Sequence, residues 1–206
     1  TFFFGPIIGA VLMVVALADP PPRTGLVDRA LIAAYAGGIR PILCLTKTDL
    51  APADAFAEQF ADLDITVITA GRDDPLAEVE DLLTGRVTVL LGHSGVGKST
   101  LVNRLVPQAD RATGEVSGVG KGKHTSTQSV ALPLPGGGWV IDTPGIRSFG
   151  LAHIEPDDVL RAFSDLAAVI EDCPRGCGHL GAPADPECAL DTLRGPQARR
   201  VAAARR

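Results

Sequence analysis

Residues 87–100 read VTVLLGHSGVGKST. The apolar run 87–91 has the length and β-branched content of a buried strand, and LVNRL at 101–105 has helical spacing. Between them, Gly92, His93, Ser94, Gly95, Val96, Gly97, Lys98 and Ser99, followed by Thr100, spell G-x-x-x-x-G-K-S, the phosphate-binding loop, in the strand–loop–helix setting it requires. The glycines let the backbone curl until its N–H groups point at phosphate oxygens, and the next helix adds its positive dipole end. Lys98 is expected to reach the β- and γ-phosphates, and the Ser99 hydroxyl to bind Mg²⁺. A chance Gly-rich turn would need neither flanking element.

The chain has 206 residues and a net charge of −5. That length suits one α/β domain plus a small appendage. An acidic chain is no obvious nucleic-acid binder, so any RNA contact must come from a local basic patch. The chain begins at Thr1 rather than Met, as a fragment of a longer protein does. Residues 2–18 carry no charge, which raises a membrane span or a signal core. The run is short for a span, Gly5, Pro6 and Gly9 interrupt it, and no basic flank precedes it. A buried strand at 11–17, ending at Asp19-Pro20-Pro21-Pro22, is the better reading; residues 1–10 fit no element.

Outward from there the pattern alternates. Residues 26–36 have helical spacing and stop at Gly37-Gly38; 41–45 is an apolar strand; 53–63 is a helix with Phe56, Phe60 and Leu63 on one face. Strand 65–69, helix 75–83 and strand 87–91 follow. Strands alternating with helices predict an α/β fold with a doubly wound, mostly parallel sheet, whose ligands sit beyond the carboxyl ends of the strands.

The motifs fall at those ends. Strand 41–45 exits into Thr46-Lys47-Thr48-Asp49. A carboxylate at Asp49 can accept two hydrogen bonds from a guanine edge, a pattern adenine lacks, while the Lys47 stem lies along the base; alternatively, Asp49 only caps a helix. Strand 65–69 exits into Thr69-Ala70-Gly71, whose backbone N–H groups can meet the guanine carbonyl oxygen. Residues 111–128, rich in Gly, Ser, Thr and Lys, are too long for a simple connection. Thr125 within them is a candidate for binding Mg²⁺ and sensing the γ-phosphate, against a plain basic loop tip. A hairpin over 129–141 delivers Asp142-Thr143-Pro144-Gly145, where Asp142 is placed to hold Mg²⁺ through water and the Gly145 N–H to touch the γ-phosphate; the bland reading is a β-turn.

Near the C-terminus, Cys173, Cys177, His179 and Cys188 fall within sixteen positions among Pro and Gly turns. Three thiolates and one imidazole make a closed tetrahedral zinc set, structural rather than catalytic; free cysteines or a redox pair are the alternatives. Cys44 sits inside an apolar strand as core. Residues 155–170 carry a helical apolar stripe (Val159, Leu160, Phe163, Leu166, Ile170) that reads as packing. The tail 194–206 holds Arg194, Arg199, Arg200, Arg205 and Arg206, either a solvated helix end or a phosphate-contacting patch.

In ordinary small GTPases the guanine-reading motif follows the phosphate loop, whereas here it precedes it, as a circular permutation produces. TKTD, GHSGVGKST, GKHTST, DTPG and the Cys/His cluster in this order resemble the circularly permuted ribosome small-subunit-dependent GTPase family (RsgA/YjeQ). The resemblance implies a cytoplasmic, monomeric GTPase at 11–150 and a zinc-binding helical module at 151–206, with GTP/GDP, Mg²⁺ and one structural Zn²⁺. Its implied partners are the small ribosomal subunit and its rRNA, late in subunit maturation, with no membrane partner. The enzyme would bind in the GTP state and leave after hydrolysis. Ile146 stands where many GTPases place a water-orienting Gln, and the family's water-orienting histidine matches His153. Thr46 stands where the commoner motif has Asn, which is expected to weaken one base or loop contact. The family also carries an N-terminal oligonucleotide-binding barrel, for which these residues leave no room. The competing functions are a phosphate-loop ATPase or kinase and a non-catalytic zinc and RNA-binding module.

Overall fold

The computed structural model describes residues 8–61, 63, 65–108, 129–143, 160 and 163–205. Its centre is β1 (Ala10–Ala16), which is buried along its whole length. β2 (Arg40–Thr46), β3 (Thr66–Ala70), β4 (Val87–Leu91), β5 (Val130–Pro133) and β6 (Trp139–Asp142) complete a six-stranded sheet in the order β3-β2-β1-β4-β6-β5. Every neighbouring pair is parallel except β5–β6, so the mostly parallel sheet is present with one antiparallel edge. The carboxyl ends of five strands therefore open on one edge, where ligands of such sheets bind.

The charge-free run over residues 10–16 has its explanation in β1. Val11, Met13 and Val15 enter one core and Ala10, Leu12, Val14 and Ala16 the other. A central parallel strand with both faces covered has no solvent face for a polar residue to occupy. Among the described residues no helix is long and apolar enough to cross a membrane. Cys44 also lies inside this sheet, and burial pushes its thiol up to about 12.

The helices are α1 (Thr24–Ala36), α2 (Asp54–Ala57), α3 (Ala77–Leu83), α4 (Lys98–Leu105), α5 (Ser164–Ile170) and α6 (Gly195–Ala204). α3 and α4 cover one face of the sheet through Val79, Leu83, Leu101, Val102 and Leu105. α1, α2, α5 and α6 cover the other, where Leu31, Phe56, Leu166 and Val201 share one core with Phe163 and Cys188. The segment expected as one helix over 53–63 is shorter, α2 tightening into a 3₁₀ turn at Glu58–Phe60. Phe56 and Phe60 are both buried by that point, and the chain must then bury Leu63 and enter β3 at Thr66. No length remains for further helical turns. Of the stripe expected over 155–170, Leu160, Phe163 and Leu166 are buried as packing residues, and the Phe163 ring meets Tyr35 of α1 edge-on at 5.3 Å. Val159 lies outside the described residues.

The basic tail is the main correction. Neither a solvated helix end nor a phosphate-contacting patch describes Arg199, Arg200 or Arg205. Arg200 is 1% exposed, pairs with Asp165 and lies over the Phe163 ring. Arg199 Nε donates to Asp28 Oδ2 of α1 at 3.1 Å, and its Nη1 donates to Gln59 Oε1 at 3.2 Å. α6 offers no apolar stripe wide enough to seat it alone, so arginine stems and rings do part of the packing. Asp28 is fully buried; burial pushes its carboxyl above the usual range and Arg199 counters this. Asp28→Ala would strand a guanidinium that is already 28% exposed. The expected loss is about 2–3 kcal/mol, below the ~3–5 kcal/mol typical of a fully buried pair. Urea unfolding of Asp28→Ala, Arg199→Ala and the double variant checks it, the double variant costing less than the sum.

Candidate functional site

The strand β4 runs into Gly92, where a Cβ would sit 2.5 Å from the Val14 carbonyl oxygen of β1. Only glycine lets the loop leave the sheet that close to its neighbour. The loop closes at Gly97, whose left-handed backbone (φ 97°) starts α4. α4 begins at Lys98, three residues earlier than the apolar spacing alone suggested. Lys98 is buried, and its Nζ donates to the carbonyls of Gly92 at 2.8 Å and His93 at 3.2 Å. The ammonium thus crosses the mouth of its own loop, as it would lie beside a phosphate chain. Burial lowers its pKa and the nearby Asp142 opposes that shift. His93 is kept below its usual range by burial first and then by Arg23, Lys98 and Arg29, so its imidazole is neutral near pH 7. Ser94, Gly95, Ser99 and Thr100 form the exposed part of the loop and of the first turn after it.

Asp142 ends β6, beside Leu90 of β4. Burial raises its carboxyl pKa, Lys98 counters this, and its Oδ1 is buried without a hydrogen-bond partner among the described residues. An orphaned carboxylate oxygen beside the phosphate loop fits a Mg²⁺ shell completed by water and Ser99. Thr143 Oγ1 donates to the Leu90 carbonyl and holds the strand end in register. Thr125, Gly145, Ile146 and His153 lie outside the described residues.

Across the loop, a crevice of about 280 Å³ is lined by Thr46, Lys47, Asp49, Leu50, Ala70, Gly71, Arg72, Gly97, Thr100, Leu101 and Arg104. Residues from both predicted base-reading turns and from the phosphate-loop helix therefore face one space. Ala70 and Gly71 line it, and Thr69 does not. Thr46 bears directly on the expected weak contact. Its Oγ1 donates to the Val96 carbonyl at 2.6 Å and lies 3.3 Å from the Val15 carbonyl. The threonine hydroxyl thus secures the phosphate loop to β2, so the loop contact is not lost. Lys47 adopts a left-handed backbone (φ 57°), and its Nζ donates to the Asp19 carbonyl beyond β1. Its amine is anchored there, leaving the aliphatic stem along the crevice.

Arg104 was not legible as a site residue. From the last turn of α4 its Nη1 donates to the Gly71 carbonyl at 2.7 Å and its Nη2 to the Asp74 carbonyl. Asp74 Oδ2 in turn accepts from the Gly71 N–H at 2.7 Å. Only its standing as the one charged side chain of residues 99–105 hinted at it.

The second site lies on the α1 side. The ligand atoms of Cys173, Cys177, His179 and Cys188 all lie within 4.8 Å of one another. A tetrahedron with bonds of ~2.3 Å has edges of about 3.8 Å, so the cluster and its donor set fit zinc. His179 takes a left-handed backbone (φ 58°). Asp185 holds it there, accepting from the N–H groups on either side, Gly178 at 3.2 Å and Leu180 at 2.8 Å. Those two bonds, Leu180 first, hold the Asp185 carboxyl below its usual range. Arg205 at the end of α6 donates to the His179 carbonyl at 2.6 Å, to Asp191 at 2.6 Å and toward Cys188 Sγ at 3.4 Å. A cation there offsets the net negative charge of three thiolates around a dication. Asp185 was not singled out from the sequence, and Arg205 only as part of the basic tail; Asp185, between the prolines of PADPEC, was the readable signal.

Comparison with known proteins agrees with this geometry. A profile described as RsgA GTPase matches residues 7–152. The chain is 41% identical over 189 residues to the small ribosomal subunit biogenesis GTPase RsgA of Pseudomonas aeruginosa (strain LESB58), covering 87% of this chain and 55% of that protein. It is 40% identical over 190 residues to the RsgA of Pseudomonas fluorescens (strain SBW25), with 87% and 54% covered. The chain thus spans about half the length of the curated relatives it matches. Among solved structures, YloQ, described as a circularly permuted GTPase, superposes with a TM-score of 0.70 at 27% identity, covering 95% of this chain and 66% of that one. YjeQ from Thermotoga maritima shares the fold, with a TM-score of 0.69 at 22% identity and 95% and 69% covered.

Proposed function

Because the chain belongs to the RsgA GTPase family, we propose that it binds GTP and hydrolyses the β–γ phosphoanhydride, slowly alone and faster on the small ribosomal subunit. One observation carries the reading: Asp49 and the first turn of the phosphate-loop helix line the same crevice. Such a crevice takes a purine at one end and phosphates at the other. Asp49 accepts the guanine N1–H and 2-amino hydrogens, a choice worth roughly 1–3 kcal/mol by analogy with base readout. Lys98 leaves the Gly92 and His93 carbonyls for the β- and γ-phosphate oxygens. Ser99, Thr125 and Asp142 would hold Mg²⁺, which supplies charge neutralisation at those oxygens. Ile146 cannot orient water, so His153 is assigned that task, with the Gly145 N–H on the γ-phosphate.

Residues 11–150 form the nucleotide unit and 151–206 the zinc-binding module in this proposal, acting in the cytoplasm as a monomer. Cys173, Cys177, His179 and Cys188 hold one structural Zn²⁺. Because DTPG leads toward that module, loss of the γ-phosphate would shift it and release rRNA and the small subunit.

Calorimetry with GDP and ADP, followed by phosphate release with and without small subunits, tests the reading. The expected result is at least tenfold preference for GDP, and stimulation by subunits that His153→Ala removes. Equal affinity for ADP would point to a phosphate-loop ATPase or kinase. Tight GDP binding with no phosphate release on subunits would leave a non-catalytic RNA-binding module.

A further inference from the structure

One wall of the crevice that Asp49 lines is the turn over residues 71–74, and it is held from outside itself. Two Arg104 nitrogens donate to its carbonyls at Gly71 and Asp74, and Asp74 Oδ2 closes it by accepting the Gly71 N–H. The turn also stands hard against the other base-reading turn. A Cβ on residue 71 would lie 2.4 Å from Thr48 Oγ1 and 2.6 Å from Asp74 Oδ2. Ala70, Gly71 and Arg72 of this wall, and Arg104 itself, line the crevice. A surface turn with so few residues would otherwise sample several positions; with the Gly71 N–H given to Asp74 Oδ2, the wall's remaining backbone N–H groups discriminate a carbonyl oxygen only when their position is fixed.

We propose that Arg104 is a positioning residue for base recognition: by fastening the turn 71–74 to α4 it fixes the wall that meets position 6 of the purine, and so sets the preference for a 6-oxo base. This rests on the reading that the crevice takes guanine. Phosphate contacts and base contacts then come from one rigid body, since α4 carries Lys98 at its first turn and Arg104 at its last. The guanidinium fork offers a separate nitrogen to each carbonyl in a fixed plane, whereas a lysine offers a single nitrogen.

The test compares three diphosphates on the whole chain by calorimetry. GDP carries every contact; 6-thio-GDP weakens the acceptor at position 6 while keeping N1–H and the 2-amino group; IDP lacks the 2-amino group that Asp49 reads. Arg104→Ala should raise the Kd for GDP roughly tenfold. It should also shrink the penalty for 6-thio-GDP severalfold while leaving the penalty for IDP intact. Arg104→Lys should fall between, and Asp74→Ala, which frees the same turn from its other side, should reproduce the loss for 6-thio-GDP. A merely destabilised fold would weaken all three ligands alike and overturn the proposal, as would a sulfur penalty unchanged in both Arg104→Ala and Asp74→Ala. If the unsubstituted chain binds ADP as well as GDP, the guanine reading itself fails, a result separate from either of these.

Discussion

Replacing Lys98 by alanine is expected to slow γ-phosphate release from bound GTP by roughly 10²–10³-fold, about 3–4 kcal/mol of transition-state stabilisation. The argument starts from burial. Lys98 is 8% exposed and already partly stripped of water, so desolvation depresses its pKa and only Asp142 offsets this. A cation held so far from bulk solvent interacts strongly with charge that develops on phosphate oxygens, because little water intervenes. In the free protein its hydrogen bonds go to the Gly92 and His93 carbonyls. The site is therefore preorganised: the ammonium changes partners without gaining or losing a charge. Lys98→Arg should not rescue the rate, since a planar guanidinium is larger than the compact ammonium that this loop, closed against Val14, encloses. Single-turnover phosphate release with small subunits present measures the effect. A rate within tenfold of the unsubstituted chain would remove Lys98 from the catalytic set.

What the sequence disclosed and what it hid divide along a physical line. Motifs whose chemistry depends on neighbours in the chain were legible: the phosphate loop, the strand ends around Asp49 and Asp142, and the Cys/His cluster. The parallel sheet was legible too, because β1 and β2 have both faces covered and so read as unbroken apolar runs. The hidden parts are partnerships between residues far apart in sequence. Arg199 meets Asp28 across 171 positions, and Arg104 meets Gly71 across 33. A cluster of arginines at a terminus carries the same signature whether it faces rRNA or a buried carboxylate; the acid that decides between them lies on another helix. Thr46 shows the converse. It departs from the commoner asparagine, yet the hydroxyl reaches the Val96 carbonyl because Gly97 brings the loop against β2, with Thr46 Oγ1 only 3.7 Å from where a Cβ on Gly97 would stand.

If the Cys173–Cys177–His179–Cys188 cluster holds zinc as proposed, removing the ion is expected to unfold residues 171–205 while the sheet keeps its structure. This region has little else to hold it. Between α5 and α6 the only regular element among the described residues is the 3₁₀ turn Ala189–Thr192. Cys188 is nevertheless 3% exposed and shares a core with Phe163, Leu166 and Leu190, so the ion site doubles as a packing contact. Structural zinc supplies on the order of 10–16 kcal/mol of apparent binding free energy in small domains, more than so short a segment can replace. Three uncompensated thiols would also free Arg205, which reaches toward Cys188 and fastens the end of α6 to the His179 carbonyl. α6 carries Arg199 and Arg200, so its loss exposes Asp28 and Asp165 together. Hydrogen exchange after treatment with a chelator, and in Cys188→Ser, should show protection lost through residues 171–205 and through α1, where Asp28 sits. α3 and α4, on the far face of the sheet, should keep theirs. Asp185→Ala should lower zinc retention in a chelator competition without abolishing it, because it removes the support for the His179 backbone and leaves all four ligands. Metal-free protein with exchange protection unchanged across 171–205 would mean that packing on α1, rather than the ion, holds this module together.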